Sequence, residues 1–478
     1  MPRYPTVAII GTGPAGISAL RALHDERVFD RIRVFERRDR PGGTWNYDET
    51  PQRFPGTSPY QSTASLVQGQ KPSTFPQRTT PALPPDDTMP TAMYSWLDTN
   101  VPADLMAFTH TPLPEGNSPI SVERYGDGNA TRPWYIVTRY LLELVESLQG
   151  SISFETKVVL VEKTWSGKWR LTLRRPEAVE GETRDLWWQE EFDAVIVATG
   201  QYSEPFLPMI PGLDKVVKTH PETLEHVNAF RSREQYASKR VVVVGGSFSA
   251  SDAVGDIYTL VRGPLYVSQS SHSPYITEIW SLPNVEVKPT ISQIEGQDHT
   301  KLKLTFSDGS KLDGVDKLIF ATGYRFSFPF LSHQPLIKAD RVPGTYQHVF
   351  NIGDPSLAFL GLVRAPLLFR MMEYEAVAVA RYYAGHGGEL PSKEDQESWE
   401  AEQVKLKGDT YKFHDVTAEM REHMDFLRDL AGPPAAGTDA YELPQVTDEW
   451  LEKSFSVFRL KNEYWGRVRR EAEAHRSE

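Results

Sequence analysis

Twice along this chain a short apolar run stops at a glycine turn and gives way to a helical pattern, and that repeat constrains the fold more than any other feature. Val7-Ala8-Ile9-Ile10 ends at Gly11-Thr12-Gly13-Pro14-Ala15-Gly16, Ile17 to Leu23 then has helical spacing, and Ile32 to Glu36 is a second β-rich run. A continuous apolar run ended by glycine reads as a strand buried on both faces. Residues 5–36 therefore predict a βαβ unit feeding a parallel sheet. The grammar returns at Arg240-Val241-Val242-Val243-Val244, then Gly245-Gly246-Ser247-Phe248-Ser249-Ala250, a helix through Leu260 and the strand Leu265 to Val267. An α/β fold follows, with two Rossmann-like dinucleotide-binding lobes, the second inserted in the first. Strands at Leu302 to Phe306 and Lys317 to Phe320 are expected to complete the inserted lobe.

The first turn fits G-x-G-x-x-G. Gly11 permits the tight turn, Gly13 lets backbone approach a pyrophosphate, and Gly16 allows the helix to pack on the strand. Phosphates would sit at the helix N-terminus, where unpaired N–H groups and the dipole favour negative charge. Glu36, 20 residues after Gly16, stands at a strand end, where a carboxylate accepts ribose hydroxyls. The second turn keeps only Gly245 of the three motif glycines, with Ser247 and Ala250 at the other two positions. Its place in a second βαβ unit makes it a nucleotide turn. Beyond Val267 come Ser268-Gln269-Ser270-Ser271-His272, which hold no carboxylate to repel a 2′-phosphate. Two dinucleotides in one chain imply one held tightly as a redox centre and one exchanging as the hydride source.

Between the units the chain is less regular. Residues 46–119 are rich in Pro, Thr, Ser and Gln, yet Trp and Tyr recur, so an ordered covering loop is expected, with helix only near Met93 to Leu97 and Pro102 to Phe108. Tyr135 to Leu148 is amphipathic, and strand-like runs follow at Ile152 to Val161, Trp169 to Leu173, Leu186 to Trp188 and Ala194 to Val197. The tail from Glu389 reads as charged and helical. A net charge of −12 offers no footprint for nucleic acid. The lack of cysteine removes disulfides, thiolate metal sites and a redox dithiol, and no metal is expected. No stretch approaches the ~18 apolar residues of a membrane span, and no signal-peptide pattern opens the chain; a cytoplasmic protein is expected, and a homodimer stays open.

From Pro41-Gly42-Gly43-Thr44-Trp45 onward the sequence resembles the flavin-containing monooxygenases, soluble yeast- and fungal-type members in particular. Leu97-Asp98-Thr99-Asn100-Val101-Pro102 with Leu105-Met106 is similar to the family's L-x-T-N-x-P-x-x-L-M segment. Ala198-Thr199-Gly200 and Phe320-Ala321-Thr322-Gly323-Tyr324 resemble its two lobe crossings, Asn351-Ile352-Gly353-Asp354-Pro355 its return to the flavin, and Tyr464-Trp465-Gly466 the yeast-type terminus. The family signature before the second turn is half kept: His226 and Phe230 match, while His220 and Glu222 replace Phe and Gly. Phe230 stands where the related Baeyer–Villiger enzymes have Trp.

The resemblance implies FAD at the first turn and NADPH at the second. It divides the chain into 1–205 and 328–478 for the FAD lobe and 206–327 for the NADPH lobe. NADPH would reduce FAD, a flavin C4a-hydroperoxide would form with dioxygen, and one oxygen atom would pass to the nitrogen or sulfur of a small amine, thiol or thioether. Asn100 is the implied catalytic residue. Gly43, Thr44, Trp45, Thr99, Asn100, Thr322, Gly323, Tyr324 and Asp354 join Gly11, Gly13, Pro14, Ala15, Gly16 and Glu36 around the cofactors. Gly245, Ser247, Ser249, Ala250, Ser268, Gln269 and Ser270 serve NADPH. A helix cap is the competing reading for Asn100 and for Asp354. Ketone oxygenation of the Baeyer–Villiger kind, or a flavin reductase or NADPH oxidase without oxygenation, are the rival activities.

Overall fold

Val7 and Ile9 of the strand Thr6–Ile10 pack into one core, and Ala8 and Ile10 into another on the opposite face. A strand apolar on both faces needs a layer on each side, and the fold supplies them. In the computed structural model, which describes residues 1–52, 54, 71–80, 82–83, 89–179, 181–298, 300–332 and 340–477, this strand lies inside a seven-stranded sheet. The order is Thr345–Tyr346, Phe350–Asn351, Leu357–Phe359, Ala194–Val197, Thr6–Ile10, Arg31–Phe35, Ile152–Ser153. Its central strands run parallel. The helices Pro14–Asp25, Trp134–Val145 and Leu368–Ala384 cover one face. A four-stranded antiparallel sheet built on the long hairpin Trp169–Val179 and Glu182–Phe192 covers the other.

The second lobe repeats the plan. Its five strands, all parallel, lie in the order Leu224–His226, Lys317–Phe320, Val241–Val244, Leu265–Ser268, Val285–Lys288. They fall in sequence between strands Ala194–Val197 and Thr345–Tyr346 of the first sheet, which is the insertion the repeat predicts. Val241 and Val243 face the helix Phe248–Ile257, and Val242 and Val244 face a three-stranded antiparallel sheet, Ile291–Asp298, Lys301–Phe306 and Lys311–Val315. The run at Leu302 to Phe306 thus belongs to this covering layer, because its alternating burial suits a one-sided sheet.

Other local readings need correction. The run Ile152 to Val161 is two strands in two sheets, Ile152–Ser153 and Lys157–Lys163, broken where Glu155 takes φ 52°. No helix forms at Met93 to Leu97, and Ala103–Met106 is a single turn. Of the expected covering loop, residues 53, 55–70, 81 and 84–88 lie outside the described residues. Its described part is fastened by ion pairs and backbone bonds: Arg38 grips Asp48, and Arg231 of the second lobe donates to the Asp48 carbonyl at 2.7 Å. The tail is helical, ending in Ser456–Ser477, which packs on the second lobe through Trp465. No helix among the described residues is long and apolar enough to cross a membrane.

Candidate active site

Both glycine turns sit at the carboxyl ends of their parallel strands, where open α/β sheets hold ligands. At the first, Gly11 has φ +101°, and a Cβ on Gly16 would stand 2.0 Å from the Gly11 carbonyl oxygen. Those two glycines are obligatory for the turn itself. Gly13 differs: its φ is −71°, and an added Cβ would meet only Gly43 Cα, at 3.8 Å. The space above Gly13 is open to the cleft, as a close approach to pyrophosphate requires. The helix Pro14–Asp25 has no side-chain cap, so its first N–H groups stay available to an anion. Glu36 is held by three donors, Thr12 N at 2.8 Å, Thr12 Oγ1 at 2.6 Å and Arg38 N at 2.8 Å. A carboxylate offers roughly four acceptor sites, so its orientation is fixed with an acceptor left over.

At the second turn Gly245 has φ +136°, and a Cβ on Gly246 would fall 2.3 Å from the Ser271 carbonyl oxygen. The helix Phe248–Ile257 also lacks a side-chain cap. One cleft of about 2170 Å³ is lined by both turns, by Gly43, Thr44 and Trp45, by Thr99 and Asn100, by Ser270 to Tyr275, and by Thr322, Gly323 and Tyr324. Two glycine turns therefore open into one continuous space.

Asn100 enters this space from an ordered bend. Thr99 Oγ1 donates to the Val101 carbonyl at 3.0 Å and accepts from Arg132 N at 3.0 Å, so the backbone beside Asn100 is pinned. The helix that follows is preceded by Pro102, with no side-chain cap. Asn100 is not a cap; its Oδ1 accepts from Lys461 Nζ at 2.5 Å. His226, just outside the cleft, bonds through Nε2 to the Gly323 carbonyl at 3.1 Å and through Nδ1 to Asn228 N at 3.3 Å. Burial pushes its ring down from 6.5 to about 4. A neutral ring that donates from Nε2 and accepts at Nδ1 satisfies both contacts, which is a structural role.

A family model described as pyridine nucleotide-disulphide oxidoreductase matches residues 5–355, and one described as flavin-binding monooxygenase-like matches residues 278–439. Flavin-containing monooxygenase FMO GS-OX-like 6 of Arabidopsis thaliana is 31% identical over 404 residues, 81% of this chain and 74% of that protein. The chain belongs to the flavin-containing monooxygenases. Flavin-containing monooxygenase iboF of Amanita muscaria is 28% identical over 445 residues, 80% of this chain and 79% of its own. S-allyl-L-cysteine S-oxygenase from Allium sativum shares the fold, with a TM-score of 0.70 at 24% identity over 96% of this chain and 94% of that one. FAD and NADPH are the cofactors of the family. The broader disulphide-oxidoreductase likeness brings no dithiol with it, since this chain has no cysteine.

For a flavin-containing monooxygenase, four expected residues are placed away from the cleft wall, and the reasons are geometric. Gly16 and Ala250 face the packing between helix and sheet; Ala250 is fully buried. Ser268 is buried in its strand and donates to the Pro289 carbonyl at 2.9 Å. Gln269 lies behind the second turn, its Oε1 2.4 Å from where a Gly246 Cβ would be. Ser270 is the first residue of that segment on the cleft wall.

Asp354 is the fifth departure and the clearest. It precedes the strand Leu357–Phe359, which runs parallel to Ala194–Val197, so it lies at the amino end of the sheet, whereas Leu360 and Gly361 at the carboxyl end line the cleft. Its carboxylate pairs with Lys163 at 2.5 Å and accepts from Ser356 N at 3.1 Å and Ser356 Oγ at 2.5 Å. Burial would raise its pKa, but Lys163 and Ser356 hold it below the usual carboxylate value. It caps no helix and closes a turn. The sequence reading in turn missed Thr12, Arg38 and Lys461. Thr12 was legible as the hydroxyl inside the turn; Lys461, 361 residues from Asn100, carries no local signal.

Proposed function

We propose that this flavin-containing monooxygenase takes FAD at Gly11 to Gly16 and NADPH at Gly245 to Ser249, and inserts one oxygen atom into a nucleophilic nitrogen or sulfur of a small molecule. The single observation that carries the reading is the shared cleft, lined by both turns and by Asn100. A bound flavin supplies the redox and oxygen-activating chemistry. The chain's own residues bind, orient and exclude water. Helix Pro14–Asp25 would receive the flavin pyrophosphate above Gly13, and Glu36 an adenosine hydroxyl. Helix Phe248–Ile257 would receive the second pyrophosphate, with Ser270 and its neighbouring hydroxyls on a 2′-phosphate. Trp45 would wall the flavin. Asn100 would offer amide donors to oxygen without a proton to lose or a charge to add.

Amines, thiols and thioethers are favoured over ketones because Phe230 stands at the position of the Baeyer–Villiger Trp, packed between Tyr94, Trp96 and Tyr236. The test is a mass-spectrometric screen of amines, thioethers and cyclic ketones with NADPH in air. Gain of one oxygen by an amine or thioether is expected. Conversion of ketones alone to esters would overturn the substrate class.

A further inference from the structure

We infer that Lys461, carried in by the C-terminal helix, is a positioning residue that fixes which end of the Asn100 carboxamide faces the cleft. The inference rests on the reading of Asn100 given above. An ammonium has three donors and no acceptor, so the atom of Asn100 at 2.5 Å from Lys461 Nζ is the carbonyl oxygen. The amide nitrogen is then the free end; among the described residues it makes no hydrogen bond, and Asn100 lines the cleft while Lys461 stands behind it. Lacking Lys461, the carboxamide could turn over and present an acceptor where a donor is required.

Lys461 is itself fixed. Asp252, on the helix of the second turn, lies 3.4 Å from Nζ through Oδ1 and accepts from Tyr94 OH at 2.8 Å through Oδ2. Asp98 lies close enough to act on its charge. Burial alone would lower the ammonium pKa, but Asp252, Tyr125 and Asp98 outweigh it and raise it, so the donor stays charged. The helix Ser456–Ser477 cannot slide freely. Trp465 fills the space over Gly255, where a Cβ would meet its ring at 2.4 Å. Asn462 Oδ1 accepts from Thr277 N at 3.0 Å and Glu278 N at 3.1 Å, and Phe458 stacks on Phe248 at 4.4 Å. One cation thus joins the Asn100 bend, the helix behind the second turn and the C-terminal helix.

The test uses the FAD-loaded full chain and needs no substrate. The dissociation constant of oxidised NADP is measured by calorimetry, and peroxide release is measured with NADPH in air, for the parent, Asn100→Ala, Lys461→Met, Lys461→Arg and the double variant. A charge-assisted hydrogen bond governs occupancy of the right rotamer, so Lys461→Met is expected to weaken NADP and raise peroxide release roughly 10-fold. The double variant should be no worse than Asn100→Ala, since residues acting as one unit are not additive. Lys461→Arg should recover most of the loss. Should Lys461→Met fail to load FAD, Lys461→Gln carries the same comparison and should lie between parent and Asn100→Ala. Asn100→Ala that moves neither readout would sink the reading of Asn100 itself. Asn100→Ala that moves both, with Lys461 variants like the parent or effects that add in the double variant, would overturn the Lys461 assignment alone.

Discussion

Three glycines in the first turn have separate duties in the motif, and the space around each shows which of them the chain itself enforces. Gly11 and Gly16 are sterically required by the chain, whereas a Cβ on Gly13 finds open space. Gly13→Ala should therefore fold with a melting temperature near that of the parent but lose most of its FAD, because the methyl group occupies the approach to the pyrophosphate. Gly16→Ala should lose stability outright. Flavin content and thermal melting check both, and full flavin in folded Gly13→Ala would show that the phosphates lie elsewhere. Since Asn100 caps nothing, any stability lost in Asn100→Ala comes from its bond to the Lys461 ammonium, worth about 1.5–3 kcal/mol at most, and melting does not report its role. Its effect should appear instead as more peroxide per NADPH. Residues whose role is set by neighbours in sequence, such as Gly11, Gly13, Gly16 and Glu36, were legible from the chain. Lys461 was not, because its tie to Asn100 joins residues 361 apart in the chain, and the place of Asp354 was not, because a motif reports spacing and not which end of a strand faces the cleft.

Elements show the same division. Four strands apolar on both faces, Thr6–Ile10, Ala194–Val197, Val241–Val244 and Lys317–Phe320, were readable as strands, whereas Leu357–Phe359, equally buried on both faces, was not, because three residues are too few to show a period. Lys301–Phe306 was readable as a strand of the second lobe but not as a member of its covering sheet, and the split at Glu155 was not readable, because short apolar runs do not say which sheet they join. Strand polarity makes a direct prediction for Asp354: Asp354→Asn should keep full FAD and lose only the Lys163 contact at the far end of the sheet. A colourless variant would refute that placement. The linker strand Leu224–His226 carries a pH signature. His226 is neutral in the fold down to about 4, while unfolded chains protonate below about 6.5. The unfolded state then binds more protons between these values, so stability falls as pH drops through that window, by on the order of 3 kcal/mol from this ring. His348 and His414, also held low by burial, act in the same direction. Acid unfolding of His226→Gln should therefore be shallower than that of the parent between pH 6.5 and 4, and an identical slope would contradict the account.

At the scale of the molecule, two lobes, a covering segment and a C-terminal helix converge on one cleft. The insertion was written in the order of the two glycine turns, but the convergence was not, because it depends on ties such as Arg231 to Asp48 and Trp96 to Asp256, between residues far apart in the chain. If Ser270 and its neighbours receive a 2′-phosphate, anaerobic reduction of the flavin should be faster with NADPH than with NADH by roughly 10-fold or more, the worth of a few charge-assisted hydrogen bonds. Equal rates would mean that those hydroxyls hold no phosphate. In the proposed chemistry, reducing equivalents from the second turn meet dioxygen at the first and one oxygen atom leaves on substrate. The most direct measurement supplies the purified protein with NADPH, an oxidisable amine or thioether and isotopically heavy dioxygen in ordinary water, and follows NADPH loss, peroxide and product mass together. Product carrying one heavy oxygen atom in proportion to NADPH consumed, with little peroxide, is expected; NADPH consumption that yields peroxide alone, or a product whose new oxygen comes from water, would overturn the monooxygenase chemistry proposed for this cleft.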